Sequence, residues 1–179
     1  DDTPDAAGGE APVGSSPLHA LRFLAAAAQA KAVVEIGTGT GEAARWLLAG
    51  MAEDGVLTSI DVDPAVQSAA REQFAQAGIP PARTRLITGV AAEILPRLTE
   101  GGYDLVSVTA TADCAQYLEP GLRLLRPGGV IVFTGVSGPH LTPALQEVHR
   151  AVAADENLVP AHLPVGPGLL AAVKRGEAE

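Results

Sequence analysis

The chain has 179 residues and a formal net charge of −9, with 47% apolar but only 3% aromatic residues. One domain with a core of Ala, Val, Leu and Ile is expected at this length, and the acidic charge disfavours nucleic acid as a partner. The single cysteine, Cys114, excludes an internal disulfide and a cysteine cluster for zinc. No apolar stretch is long enough to span a bilayer and no basic segment opens the chain, so we expect a cytoplasmic protein without a membrane partner.

The chain starts with a segment that differs in composition from the rest. Residues 1–16 are rich in Asp, Gly and Pro and predict a flexible lead-in, whereas residues 17–179 predict one domain. Ser16 followed by Pro17 is typical of a helix start, which predicts a helix from Leu18 to about Gln29.

Beyond this helix, short β-branched runs alternate with longer helical patterns, as in a parallel sheet with crossover helices. The last two runs flank a tight turn and predict an antiparallel hairpin. The predicted strands are Ala32–Ile36, Leu57–Asp61, Thr84–Thr88, Tyr103–Val108, Val130–Thr134, Leu158–Pro164 and Leu169–Lys174. The predicted later helices are Glu42–Ala52, Pro64–Ala77, Ala91–Leu98, Asp113–Leu125 and Thr142–Asp155. The predicted fold is an α/β, doubly wound, Rossmann-like seven-stranded sheet, mostly parallel with an antiparallel C-terminal hairpin strand.

A glycine-rich loop follows the first predicted strand and opens the next helix. Its glycines are Gly37, Gly39 and Gly41, and Glu35 precedes them. In open α/β sheets ligands bind at the carboxyl ends of the strands, and glycines there let the backbone approach a ligand closely. The loop therefore marks a candidate binding site.

The second predicted strand ends in two acidic residues, Asp61 and Asp63, about twenty residues after the loop. An acid at this position can accept hydrogen bonds from both hydroxyls of a ribose. Asp61 is the better candidate because Asp63 directly precedes Pro64 and is placed to cap the next helix. The order of strand, glycine loop, helix, strand and acid indicates a ligand that contains adenosine.

The residue types around the loop favour one such ligand over others. A dinucleotide fingerprint has a small residue where this chain has Glu42, whose charge would oppose a pyrophosphate, and the Lys of a phosphate-binding Walker loop is missing. S-adenosylmethionine carries an ammonium and a sulfonium but no phosphate, so an acid such as Glu35 suits it. A nicotinamide-dependent enzyme stays as the less favoured alternative.

Several further segments follow one pattern, and with them the chain resembles a known family. These segments are Val34–Gly41, Asp54–Pro64, Arg85–Gly89, Glu93–Pro96, Tyr103–Val106, Leu124–Val132 and the terminal hairpin. Over about Ser15 to Arg175 the chain resembles the class I S-adenosylmethionine-dependent O-methyltransferases of the catechol and caffeoyl-CoA type, most closely the short actinobacterial ones. The resemblance implies methyl transfer to a small-molecule acceptor with S-adenosylhomocysteine as product, and a homodimer, for which Leu18–Leu24 offers a contact face.

The resemblance also implies a set of cofactor-binding residues. Those along the methionine part would be Glu35, Gly37, Thr38, Gly39 and Gly41. Asp61 would hold the ribose, and Thr109, directly after the fourth predicted strand, would lie on the same edge. Residues near the adenine would be Val62, Gly89, Val90 and Ala91, although relatives usually have an acid where this chain has Val90.

The chain departs from the family at the metal site. Relatives that methylate catechols hold a divalent cation with an Asp after strand four and an Asp-Asn pair after strand five, where this chain has Thr109 and Thr134-Gly135. Hydroxyls and a glycine cannot replace carboxylates around a hard cation, so we predict no metal site. Asp113 and His140 are the candidates for a general base, although Asp113 fits better as a helix N-cap and His140 fits better as an ordinary loop residue. The alternative function is a catalytically degenerate member of the family that acts as a binding or assembly module.

Overall fold

One seven-stranded sheet organises the described part of the chain, in a computed structural model that describes residues 16–109, 113–135 and 142–176. The strands are β1 (Ala32–Ile36), β2 (Val56–Asp61), β3 (Thr84–Thr88), β4 (Tyr103–Thr109), β5 (Leu125–Thr134), β6 (Leu158–Leu163) and β7 (Leu169–Lys174). Their order in the sheet is β3-β2-β1-β4-β5-β7-β6. β7 is antiparallel to both of its neighbours and the other pairs are parallel, which confirms the predicted fold class.

The helices alternate with the strands along the chain. They are α1 (Pro17–Ala27), α2 (Glu42–Gly50), α3 (Pro64–Gln76), α4 (Ala91–Ile94), α5 (Leu118–Leu124) and α6 (Pro143–Ala154), with 3-10 helices at Pro81–Arg83, Leu95–Arg97 and Cys114–Tyr117. α1 begins as predicted, since the Ser16 hydroxyl accepts a hydrogen bond from the Leu18 N–H at 3.2 Å. Among the described residues, no helix combines the length and the apolar character needed to cross a bilayer.

Two predicted helices are much shorter than expected, whereas the others differ by one or two residues at their ends, and prolines explain both large differences. The helix predicted over Ala91–Leu98 is α-helical only to Ile94, because Pro96 has no N–H to donate to the preceding turn. The helix predicted over Asp113–Leu125 begins with a 3-10 turn, and α5 starts at Leu118 so that Pro120 lies in its first turn, where a missing N–H does no harm. Asp113 occupies the N-cap position of this 3-10 turn, but its side chain makes no capping hydrogen bond.

The fifth strand begins at Leu125, five residues before the predicted start at Val130. Leu125 pairs with Tyr103, and the register then shifts before Leu105 pairs with Val130. The Pro127-Gly128-Gly129 segment therefore forms an irregularity within the strand, whereas it lies outside the predicted strand.

Each face of the sheet packs its own hydrophobic cluster. Val34, Ile36 and Ile60 contribute to the cluster on one face, and Val33 and Leu57 to the cluster on the other. Successive residues of a strand point to opposite faces, so the second face also receives three buried polar residues. These residues, Glu35, Ser59 and Ser107, are neighbours in register across β2, β1 and β4 near the carboxyl edge.

Candidate functional site

A cavity of about 340 Å³ lies at the carboxyl edge of the sheet, where β1 to β4 end. Its described lining residues are Ile36, Gly37, Gly39, Ile60, Asp61, Val62, Gly89, Ala91, Thr109 and Tyr117. This is the position at which open α/β sheets bind their ligands. The structure thus brings the glycine loop, the strand-end acid and the segment after β3 around one cavity.

The glycine loop owes its shape to close contacts that a side chain would block. Gly37 has φ +92°, and a Cβ there would lie 3.0 Å from the Thr109 Oγ1 atom. Gly41 has φ +78° and is packed so that a Cβ would lie 3.2 Å from the Phe74 ring. Gly37 therefore lets β1 and β4 meet at the cavity wall, while Gly41 packs the loop against α3 and does not line the cavity.

Asp61 lines the cavity with a carboxylate that the loop backbone holds in place. Its Oδ2 atom accepts hydrogen bonds from the N–H groups of Thr38 at 3.0 Å and Gly39 at 3.4 Å. Its Oδ1 atom accepts a hydrogen bond from the Asp63 N–H at 3.1 Å. The Asp63 side chain caps α3 by accepting a hydrogen bond from the Ala65 N–H at 2.8 Å, as expected from the sequence.

Glu35 lies behind the cavity wall and does not line the cavity. Its side chain is 1% exposed, its Oε2 atom accepts a hydrogen bond from Ser59 Oγ at 2.6 Å, and its Oε1 atom has no hydrogen-bond partner within the described structure. Burial, together with the negative charge of Asp61, raises the pKa of Glu35 to about 8, against the opposing effect of the Ser59 hydrogen bond. Glu35 is therefore a neutral acid at pH 7.

The other end of the cavity is apolar and open. Val62 is 66% exposed and lines the cavity with Gly89 and Ala91. The Gly89 N–H donates to the Asp61 carbonyl oxygen at 2.9 Å, which ties the segment after β3 to the end of β2. Val90 does not line the cavity and is 46% exposed.

Three lining residues were absent from the sequence prediction. Ile36 and Ile60 end β1 and β2 on the cavity side, a placement that the alternation along each strand could have indicated. Tyr117 comes from the 3-10 turn before α5, which the sequence did not reveal. Burial, and to a smaller extent the charge of Asp113, raises the pKa of the Tyr117 hydroxyl above its usual value, so this hydroxyl stays protonated at neutral pH.

Of the two candidates for the general base, the structure describes only Asp113. Asp113 is exposed and does not line the cavity, although its charge reaches Tyr117, which does. His140 lies outside the described residues.

The side chains at the family's metal position do not fit a divalent cation. Thr109 Oγ1 donates a hydrogen bond to the Gly37 carbonyl oxygen at 3.4 Å, and β5 ends at Thr134. Hard cations take carboxylate oxygens in preference to neutral hydroxyls. Within residues 16–109, 113–135 and 142–176, no three His, Cys, Asp or Glu side chains are grouped so that they could hold a metal ion.

Comparison with known proteins gives consistent matches along the chain. A profile described as O-methyltransferase matches residues 6–175. A protein from Mycobacterium sp. (strain JLS), whose name places it among the O-methyltransferases, is 48% identical over 165 residues, which cover 86% of this chain and 75% of the relative. The O-methyltransferase TomG from Streptomyces achromogenes, solved in complex with SAM, is 29% identical with a TM-score of 0.74. The match covers 88% of this chain and 78% of the TomG chain. The SAH-bound methyltransferase PaMTH1 from Podospora anserina is 26% identical with a TM-score of 0.76. The match covers 89% of this chain and 78% of the PaMTH1 chain.

Proposed function

This chain belongs to the O-methyltransferase family, and we propose on that premise that it binds S-adenosylmethionine in the described cavity and methylates an oxygen of a small-molecule acceptor. The observation that carries the proposal is the Asp61 carboxylate, which the loop N–H groups of Thr38 and Gly39 fix at the cavity wall. The solved relatives that hold SAM or SAH support the same choice of cofactor.

The residues present fit an adenosyl cofactor. A carboxylate offers about four acceptor positions, and the three N–H donors around Asp61 leave room for a ribose hydroxyl. The exposed Val62 side chain and the backbone of Gly89 offer an apolar surface to an adenine ring. Gly37 and Gly39 leave the loop backbone free to contact the methionine part of the cofactor.

The chemistry that the cofactor supplies is an electrophilic methyl group on a sulfonium. With that cofactor bound, an acceptor oxygen would take the methyl group as the carbon–sulfur bond broke, and the acceptor proton would leave to water or to a base. The protein's part is to hold acceptor and cofactor in line, and Tyr117, which lines the cavity, carries a hydroxyl that can donate a hydrogen bond. We propose that this chain works without the family's divalent cation, because Thr109 and Thr134 are poor ligands for one.

A second candidate function is cofactor binding without turnover. It is favoured by one observation: apart from Asp61, the described lining of the cavity has no carboxylate and no imidazole that could act as a base. Asp113 reaches the cavity only through its charge on Tyr117. Turnover on any acceptor would exclude this second function.

The test is a binding titration followed by a turnover assay. Thermal unfolding is measured with S-adenosylmethionine, S-adenosylhomocysteine and NAD, each with Mg²⁺ and with a chelator. A ligand at about 100 times its dissociation constant should raise the midpoint by about 5–10 °C for a domain of this size. We expect a rise with both adenosyl ligands that is the same with Mg²⁺ and with chelator, and none with NAD.

Methyl transfer is then measured with a panel of catechols, phenols and hydroxy acids. Product formed in the presence of chelator would support the metal-independent enzyme. Adenosyl-ligand binding with turnover only in Mg²⁺ would refute metal independence, and absence of binding would refute the proposal.

A further inference from the structure

One buried polar side chain beside the cavity is not accounted for by the family motifs. Gln67 lies on α3, is 3% exposed, and does not line the cavity. Its Nε2 atom is within hydrogen-bond distance of Thr38 Oγ1 at 3.0 Å, the Ile87 carbonyl oxygen at 3.1 Å and the Ser59 carbonyl oxygen at 3.3 Å. Because carbonyl oxygens only accept hydrogen bonds, the atom that faces them must be the amide nitrogen.

The hydrogen bonds continue from Gln67 to the end of β1. Thr38 Oγ1 lies 2.7 Å from Ser59 Oγ, and Ser59 Oγ donates to Glu35 Oε2 at 2.6 Å. With Gln67 donating to Thr38, the Thr38 hydroxyl is free to donate to Ser59, whose own hydrogen goes to Glu35. The chain of four side chains therefore has a consistent direction and joins α3, the glycine loop, β2 and β1.

Thr38 connects this chain to the cavity. Its hydroxyl oxygen accepts a hydrogen bond from the Gln67 amide, and its backbone N–H donates a hydrogen bond to Asp61 Oδ2 at 3.0 Å. The residues on either side of it are Gly37 and Gly39, which both have positive φ and no side chain to anchor the loop. Thr38 is 3% exposed, so its buried side chain is the attachment through which the loop is held against α3 and β2.

We propose that Gln67 is a positioning residue for the cofactor site. Its amide fixes Thr38 relative to the ends of β2 and β3, and thereby fixes the loop N–H groups that orient Asp61. The inference rests on the proposed function, since it concerns the same cavity. Gln67 acts through Thr38, because none of its hydrogen bonds to Thr38, Ser59 and Ile87 goes to a residue that lines the cavity.

The test compares Gln67→Met, which keeps the chain length and removes the amide, with Gln73→Met on the exposed side of the same helix. Calorimetry measures the dissociation constant of S-adenosylhomocysteine, and urea unfolding shows that each variant is folded. We expect wild type and Gln73→Met to bind alike, and Gln67→Met to bind about tenfold more weakly, the size of one ordinary hydrogen bond.

A second variant keeps the inference testable if Gln67→Met does not fold. Thr38→Val removes the other end of the same hydrogen bond with little change of shape, and we expect a similar loss of affinity. The double variant should lose less affinity than the sum of the two single losses, because both changes break the same Gln67–Thr38 hydrogen bond. Folded Gln67→Met with wild-type affinity, or losses that add in the double variant, would overturn the inference.

Amide exchange by NMR separates this inference from the proposed function. In the ligand-free protein, Gln67→Met should speed exchange of the Thr38 and Gly39 amide hydrogens, which bond Asp61, while exchange in β4 is unchanged. If wild type fails to bind S-adenosylhomocysteine, the proposed function is wrong, yet faster exchange would still support the positioning role. Unchanged exchange at both amides would refute that role.

Discussion

Replacing Glu35 by Gln should change how the stability of the protein depends on pH. The pKa of Glu35 is raised from 4.5 to about 8, mainly by burial, so the folded chain keeps this proton to a higher pH than the unfolded chain. The contribution of the Glu35 proton to the free energy of unfolding is therefore fully present below pH 4.5. It decreases as the pH rises towards 8.

The magnitude follows from the range over which only the unfolded chain loses the proton. At about 1.4 kcal/mol per pH unit, the rise from pH 4.5 to 7 lowers the free energy of unfolding by about 3 kcal/mol, and the loss approaches about 5 kcal/mol above pH 8. Glu35→Gln has no proton to lose, so its stability should lack this decrease. Any constant packing difference between the two side chains cancels when only the pH dependence is compared.

Urea unfolding of wild type and Glu35→Gln from pH 5 to pH 9 is the assay. The free energy of unfolding of Glu35→Gln minus that of wild type should increase as the pH rises. Ser59→Ala is a further comparison: it removes the hydrogen bond that lowers the pKa of Glu35, so it should steepen the decrease at high pH. Parallel profiles for wild type and Glu35→Gln would refute the reasoning, because they would mean that Glu35 loses its proton at the same pH in both states.

Three further predictions follow from the site and the helices. Asp61→Asn should weaken S-adenosylhomocysteine binding by about tenfold to a hundredfold in calorimetry, whereas Asp63→Ala should leave affinity unchanged and reduce stability by about 1 kcal/mol through the lost α3 cap. Gly50→Ala should lower the free energy of unfolding by about 2 kcal/mol in urea, because the added methyl would collide with the Arg22 carbonyl oxygen where α1 packs on α2; an unchanged value would contradict that contact. Burial and the nearby His162 lower the pKa of His149, so the contribution of His149 to stability should fall as the pH drops below 6.5; in the same assay the stability of His149→Phe relative to wild type should therefore rise towards acid pH.

The strands were predictable because their signal is local. β1, β3 and β7 have the predicted bounds, since each is a run of apolar or β-branched residues between turn-forming residues. The start of β5 was not predictable, because the pairing of Leu125 with Tyr103 depends on a shift of register across the sheet. Pro96 and Pro120 changed the helices for reasons of backbone geometry that the apolar pattern does not contain.

The site likewise has residues that local sequence signals predict and residues whose positions depend on how distant segments pack. Asp61 and the loop glycines could be placed at the cavity from the sequence, because the carboxyl ends of neighbouring parallel strands must meet at one edge. The burial of Glu35 beside Ser59 could not be predicted, because it depends on the register in which β1 pairs with β2. Gln67 reaches the loop from α3 only after the helix has packed, so nothing in the local pattern around Gln67 indicated its contact with Thr38.

The cavity wall in which Thr109 meets Gly37 has a consequence for how the chain folds during synthesis. These two residues are 72 positions apart, and they meet only when β4 has inserted beside β1 at the centre of the sheet. Parallel pairing over such a separation forms late, since a long loop must close before the contacts compensate for the lost entropy. A nascent chain that has emerged only through β3 therefore carries the glycine loop and Asp61 without the opposite wall. A ligand that needs both walls can stabilise the finished fold but cannot guide the earlier steps.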